Sequence, residues 1–340
     1  MLDINNKIVT VLNNNNNKDE QDRSLLGNKW IQRTNNPENN ILNVLNNMSI
    51  DDHTYFYEPN MGNLSEYMSK NRVVDINIDH EAEMTKYKEL AKEQLPNLQK
   101  AIDLLIECRD KGYKVAVVGD YDADGVISTS QLMLMGKYLN ITIVPFIPNR
   151  FIDGYGLSDN IVEQIIERNI KLVITVDNGT TAYAQMDKLR SKGIKVIVID
   201  HHVIQDDIEI DAFVNPYLYS GDNIFKNVCA SGLVFFFINR VAEVTGYDLN
   251  LKYLIGLASI GTICDMVPLK DVNRSLVYMG MKSLNTYKAP WIRDLTNDNE
   301  IQEKNIGFVI GPILNVSGRF GTASLSLKLL TCEDDSYKVI

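Results

Sequence analysis

The sequence predicts an α/β fold: a parallel β-sheet flanked by helices, followed by a helical segment and the start of a second domain. Three observations predict it. Short runs rich in β-branched residues alternate with stretches of helical length between residues 114 and 200. Those runs are apolar throughout rather than at every second position, as in strands covered on both faces of a parallel sheet. After about residue 227 the alternation stops and one helical pattern follows another.

The elements follow in order. Sixteen of the first sixty residues are asparagine, including "NNNNN" at 13–17. Asparagine competes with regular structure through local hydrogen bonds, so 1–80 reads as an Asn-rich, poorly ordered or irregular segment. A helical stretch over 81–111, broken near Pro96, opens an α/β domain spanning 81–227. "KVAVVGD" (114–120) reads as strand, "GVISTSQLMLMGKYL" as helix and "ITIVPFIP" as strand. "LSDNIVEQIIERN" reads as helix with Ser158 as its cap. "KLVITVD" then gives a strand, "TAYAQMDKLRSKG" a helix and "KVIVID" a strand. Residues 228–300 form the helical segment, and 301–340 open a further unit.

Composition narrows the class. The 340 residues are 45% hydrophobic and 23% charged, as in a globular protein. No apolar run approaches the roughly 20 residues a membrane helix needs. The N-terminus has no basic start with an apolar signal core. The four cysteines form no CxxC, so neither a zinc site nor a disulfide framework is suggested; a reducing cytoplasm fits. A net charge of −10 argues against a broad electrostatic footprint on nucleic acid, but ions bound at an acidic site would invert the local sign.

Three strands end in acid. "VAVVG" runs into Asp120, Asp122 and Asp124; "KLVITV" into Asp177; "KVIVI" into Asp200, His201 and His202. Ligands of open parallel sheets bind beyond the carboxyl ends of the strands, so the three clusters should meet at one edge. Asp124 or Asp177 taken singly reads equally as a helix cap. His53 and His80 lie outside the pattern and read as ordinary surface residues. Carboxylates and imidazoles crowded together resist ionising unless cations join them. Two divalent ions bridged by a carboxylate would neutralise the cluster. The mixed oxygen and nitrogen donors suit Mn²⁺ better than Mg²⁺. No GxxxxGK[ST] and no GxGxxG follows a strand.

At these residues the sequence resembles the DHH phosphoesterase superfamily, whose defining triplet is here Asp200–His201–His202. It is most similar to RecJ-type single-stranded-DNA-specific exonucleases. "GDYDADGVISTS", "VDNGTTA", "VIDHHV" and "GTICDMVPL" look like four successive motifs, and "IPNRFIDGYGLS" and "IGPILNVSGRFGTAS" like two further segments. The resemblance implies metal ligation by Asp122, Asp124, Asp177, His201 and Asp265, with Asp177 bridging two ions. It places His202 at the phosphate, Asp120 at the mouth of the first loop and Asp200 behind a histidine. Asn149 and Arg150 would meet a 5′-terminal phosphate; Ser317 and Arg319 would lie near the phosphates. Tyr155 and Phe151 read either as base-stacking or as core residues.

The resemblance further implies 5′→3′ hydrolysis of single-stranded DNA with a 5′ end, in repair or recombination, releasing 5′-mononucleotides with Mn²⁺ or Mg²⁺. It leads one to expect that a separate chain supplies the rest of the second domain, or that the gene is truncated or the variant minimal. Two rival readings are a DHH phosphodiesterase of short oligonucleotides or cyclic dinucleotides, and a non-catalytic module that binds nucleic acid or a replication partner.

Overall fold

The computed structural model describes residues 78–149, 154–206, 209–287, 289–297, 299–319 and 323–332. The Asn-rich segment, His53, Arg150, Phe151 and residues 333–340 lie outside this set. Two helices come first: α1 (His80–Gln94) and α2 (Leu98–Asp110). They part after Pro96, where Asn97 takes φ 61° and donates its side-chain amide to the Phe213 carbonyl. Then follow β1 (Val115–Val118), α3 (Ala123–Leu139), β2 (Ile143–Phe146), α4 (Asp159–Glu167), β3 (Leu172–Val176), α5 (Tyr183–Ser191) and β4 (Lys195–Ile199). The Ser158 hydroxyl caps α4 by accepting the Ile161 amide.

A fifth strand, β5 (Ala212–Val214), was not evident in the sequence. Three residues between an acidic stretch and Pro216 are too few to show a period. All pairings are parallel, in the order β2–β1–β3–β4–β5. Alternate residues of each strand enter two cores. Val115, Val117, Leu172, Ile174, Ile197 and Ile199 face a large core shared with α1–α3 and the later helices. Ala116, Val118, Val173, Val196 and Val198 face a smaller one closed by Ile161, Val162 and Ile165 of α4 and Met186 and Leu189 of α5. Both faces are covered, so the strands can be apolar on both.

The helical layer contains α6 (Ala230–Thr245), α7 (Leu251–Cys264), α8 (Asp271–Tyr287) and α9 (Pro290–Thr296). A turn at Glu303–Asn305 and a π-helical stretch at Ile306–Ile310 lead into α10 (Gly311–Arg319), and α11 (Ala323–Thr331) follows. The layer shares the large core of the sheet through Phe235, Phe236, Leu257 and Leu327.

His80 departs from expectation. It is buried, with Nδ1 3.0 Å from the Ser275 hydroxyl and its ring stacked on Tyr278 at 4.1 Å. His80, Met84, Tyr87 and Ala91 form the one buried stripe of α1, at the spacing of a helix face. Its position on that stripe, not its polarity, decides its burial.

Candidate metal centre

β1 lies between β2 and β3, so successive connections leave it in opposite directions. At such a switch point the loops after the two strands part and leave a crevice. The loops carrying Asp120–Asp124 and Asp177 leave β1 and β3 there. Asn178 ties the two ends together. Its amide nitrogen donates to the Val118 carbonyl of β1 at 3.0 Å and to the Val176 carbonyl of β3 at 2.8 Å. Asp177 takes φ 60°, a left-handed conformation costly for a residue other than glycine. The Tyr155 hydroxyl donates to its carbonyl at 3.0 Å.

Each acid has a distinct local role. Asp122 is the N-cap of α3, accepting the Gly125 amide at 3.1 Å. Asp124 accepts the amides of Ala230 and Ser231, one on each carboxylate oxygen, at 2.7 and 3.0 Å. Asp265 is the C-cap of α7. His201 joins sheet and helical layer: its Nε2 lies 3.2 Å from Asp177 Oδ1 and 3.9 Å from Asp265 Oδ2. Asp200, 1% exposed, accepts from the amides of Thr180, His201 and His202, from the Thr180 hydroxyl and from His202 Nδ1.

Three overlapping sets bring ligand atoms within 4.8 Å of one another: Asp120, Asp122 and Asp177; Asp124, His201 and Asp265; and Asp177, Asp200, His201 and His202. All eight acids and histidines expected at the strand ends and at Asp265 are therefore together.

The electrostatics fit a cation site. Burial, then the charges of Asp124, Asp122, Asp200 and Asp120, hold the Asp177 carboxyl well above its ordinary pKa. Burial and the Asp124 charge raise Asp122, and burial with Asp124 and Asp122 pushes Asp265 up to about 7. A divalent ion would reverse these shifts, and carboxylate oxygens with an imidazole nitrogen are ordinary donors for one. Asp200 behaves differently. Burial alone would raise it, but the hydrogen bond and charge of His202 and the Thr180 hydroxyl hold it below its ordinary value. The same bond raises His202. Burial and the Asp124 charge raise the Cys229 and Cys264 thiols, Cys264 to about 12.

The remaining expected residues are spread around this centre. Tyr155 is 52% exposed and meets Tyr121 and His202 edge-on, each at 6.4 Å between centroids. That exposure does not fit the core reading. Asn149 lines a cavity of about 300 Å³ with Phe146, Gln164, Arg168 and Ser324. Ser317 is turned into helix packing, donating to the Leu314 carbonyl and bonded to the Ser326 hydroxyl. Arg319 ends α10.

Sequence reasoning missed the groups that hold the loop from behind. Asn315 Oδ1 accepts the Ala123 amide, between Asp122 and Asp124, at 2.9 Å. Gly318 lies so close to the loop that a Cβ there would stand 1.8 Å from the Tyr121 carbonyl oxygen. The glycine in "NVSG" was the available signal, since a glycine often marks close backbone approach.

Comparison with known proteins agrees with this geometry. Residues 114–262 match the model of the DHH family, N-terminal domain. The single-stranded-DNA-specific exonuclease RecJ of Escherichia coli is 34% identical over 71% of this chain and 45% of its own length. The RecJ of Bacillus subtilis is 32% identical over 71% of this chain and 31% of its own. The chain thus spans less than half the length of these relatives. A crystal structure of exonuclease RecJ bound to manganese superposes with a TM-score of 0.67 at 31% identity, covering 72% of this chain and 63% of that one. The matched family model contains all three strand-end clusters, and the RecJ likeness covers 71% of the chain: the chain belongs to the DHH family, among its RecJ-type members.

Proposed function

We propose that the chain is the catalytic part of a divalent-metal-dependent phosphodiesterase that removes 5′-mononucleotides from the 5′ end of single-stranded DNA. The observation that carries this reading is the overlap of three ligand sets through shared Asp177 and His201. Asp120, Asp122, Asp124, Asp177, His201 and Asp265 would hold two ions, Mn²⁺ or Mg²⁺. Such ions supply Lewis-acid polarisation of a phosphoryl oxygen.

The chain's own groups supply the rest. His202 donates Nδ1–H to Asp200, which leaves Nε2 to hold a proton against a phosphate oxygen. Tyr155 offers a face on which a base of any identity can stack. Arg150 suits a 5′-terminal phosphate through its guanidinium fork, with Arg319 as a further cation. RecJ relatives named as single-stranded-DNA-specific support the substrate. Residues 81–227 read as the catalytic domain, 228–300 as the layer that brings Asp265, and 301–340 as the start of a second domain. Among the described residues no helix is long and apolar enough to cross a membrane. Cys108, Cys229 and Cys264 form no disulfide, which suits the cytoplasm.

The test uses the purified chain freed of metal with chelator and an end-labelled single strand. Mn²⁺ should restore release of mononucleotides from the 5′ end. Undiminished hydrolysis in chelator would overturn the reading. Activity confined to a dinucleotide would replace the long strand with a short-oligonucleotide substrate.

A further inference from the structure

We propose that Asp124 is a positioning residue that clamps the helical layer to the sheet and, through Gly261, sets the place of Asp265. This deepens the reading above and rests on it for the role of Asp265.

α6 begins without a side-chain cap of its own, since Cys229 at its N-cap position makes no such bond. The first amides of a helix need acceptors, and a carboxylate there also meets the positive end of the helix dipole. Asp124 supplies both from across the fold: its two oxygens take the Ala230 and Ser231 amides, 106 and 107 residues away in sequence. At 2% exposure it has little water as an alternative partner.

The same contact receives α7. A Cβ on Gly261 would stand 2.0 Å from the Ser231 hydroxyl and 2.7 Å from Asp124 Oδ1. Only a bare Cα lets α7 cross there. Beside it, the Cys229 thiol bridges Ser231 and Thr262 at 3.3 and 3.5 Å. One turn on, the Asp265 amide donates to the Gly261 carbonyl at 2.8 Å. Asp124, the start of α6, Gly261 and Asp265 thus form one unbroken series of contacts. Each carboxylate oxygen has two lone pairs, so clamping leaves Asp124 able to face an ion as well.

The test has two arms on the full chain. The first is amide hydrogen exchange in chelator, with Asp124→Asn against the parent. Exchange at Ala230 and Ser231 should quicken by about tenfold or more, the effect of one lost charge-assisted bond, while β1 and β3 exchange as before. Unchanged exchange at those two amides would overturn the clamp. The second arm measures Mn²⁺ affinity by calorimetry for Gly261→Ala, Asp265→Ala and the double variant. If Gly261 acts through Asp265, Gly261→Ala should weaken binding in the parent background and add nothing in the Asp265→Ala background. Equal losses in both backgrounds would overturn the link to Asp265. A parent that bound no Mn²⁺ would overturn the metal reading instead, with the clamp still decided by exchange.

Discussion

His202 Nδ1 lies 2.7 Å from Oδ1 of Asp200, a carboxylate that accepts four further hydrogen bonds from Thr180, His201 and His202. The pair fixes the tautomer and the plane of the imidazole and raises its affinity for a proton. Asp200→Asn should therefore lower the His202 pKa and move the alkaline limb of the pH–rate profile to lower pH. NMR titration of the imidazole checks the same shift without substrate. An unmoved titration would remove the charge of Asp200 from the explanation.

Asp177 belongs to two of the three ligand sets and touches His201. Asp177→Ala should cost at least about 10³-fold in Mn²⁺-dependent hydrolysis, since the same carboxylate would serve both ions. A variant within tenfold of the parent in initial rate would end its assignment as a bridge.

The crowded acids also make a stability prediction. Asp265, with a pKa near 7, binds a proton in the folded chain over a range in which the unfolded chain has lost it. Stability of the metal-free protein should therefore fall as pH rises from about 4 to about 7. Asp265→Asn should flatten that fall and raise the metal-free melting temperature at pH 7.5 by about 2 °C or more. Melting curves in chelator across this range decide it, and a parent whose stability rose with pH would contradict the crowding.

Gly318 lets α10 lie directly on the first acidic loop. Gly318→Ala should force the two apart and destabilise by about 1–3 kcal/mol, the scale of overpacking. Urea denaturation of the two chains measures it; equal midpoints would mean that the contact yields without strain.

Arg150 lies in "IPNR" and is proposed above to meet a 5′-terminal phosphate. A 5′-phosphorylated strand should be cut faster than a 5′-hydroxyl strand by about ten- to a hundredfold, the worth of one charge-assisted contact. Arg150→Ala should abolish the ratio. Equal rates with the parent would withdraw the role.

The sheet and most of the centre were legible because both depend on local pattern. An apolar run followed by acid is a strand end, and parallel connections bring strand ends to one edge. Asp265 carried no such signal: as the C-cap of α7 it has the pattern of any helix end, and only the resemblance marked it. The reading of Asp124 and Asp177 as caps of the helices that follow them did not hold: the helix after Asp177 has Ala182 at its N-cap position. Asp122 rather than Asp124 caps α3, and Asp124 caps a helix from another part of the chain. Contacts of that range leave no periodicity. Asn178, Asn315 and Gly261 were hidden for the same reason, since what each holds lies on another element.

The two thiols behind the centre bear on which elements of the periodic table it admits. A sulfur binds a soft ion only after losing its proton, and burial, then the charge of the nearby carboxylates, opposes that loss at Cys229 and Cys264. Burial and the acids together thus silence two nearby sulfur donors that soft ions such as cadmium or copper(I) would prefer. Electrophiles such as iodoacetamide meet the same unreactive thiols. In the metal-free protein, cysteines beside the metal ligands are in this way shielded from both mismetallation and alkylation by burial and, after it, by the charge of the ligands themselves.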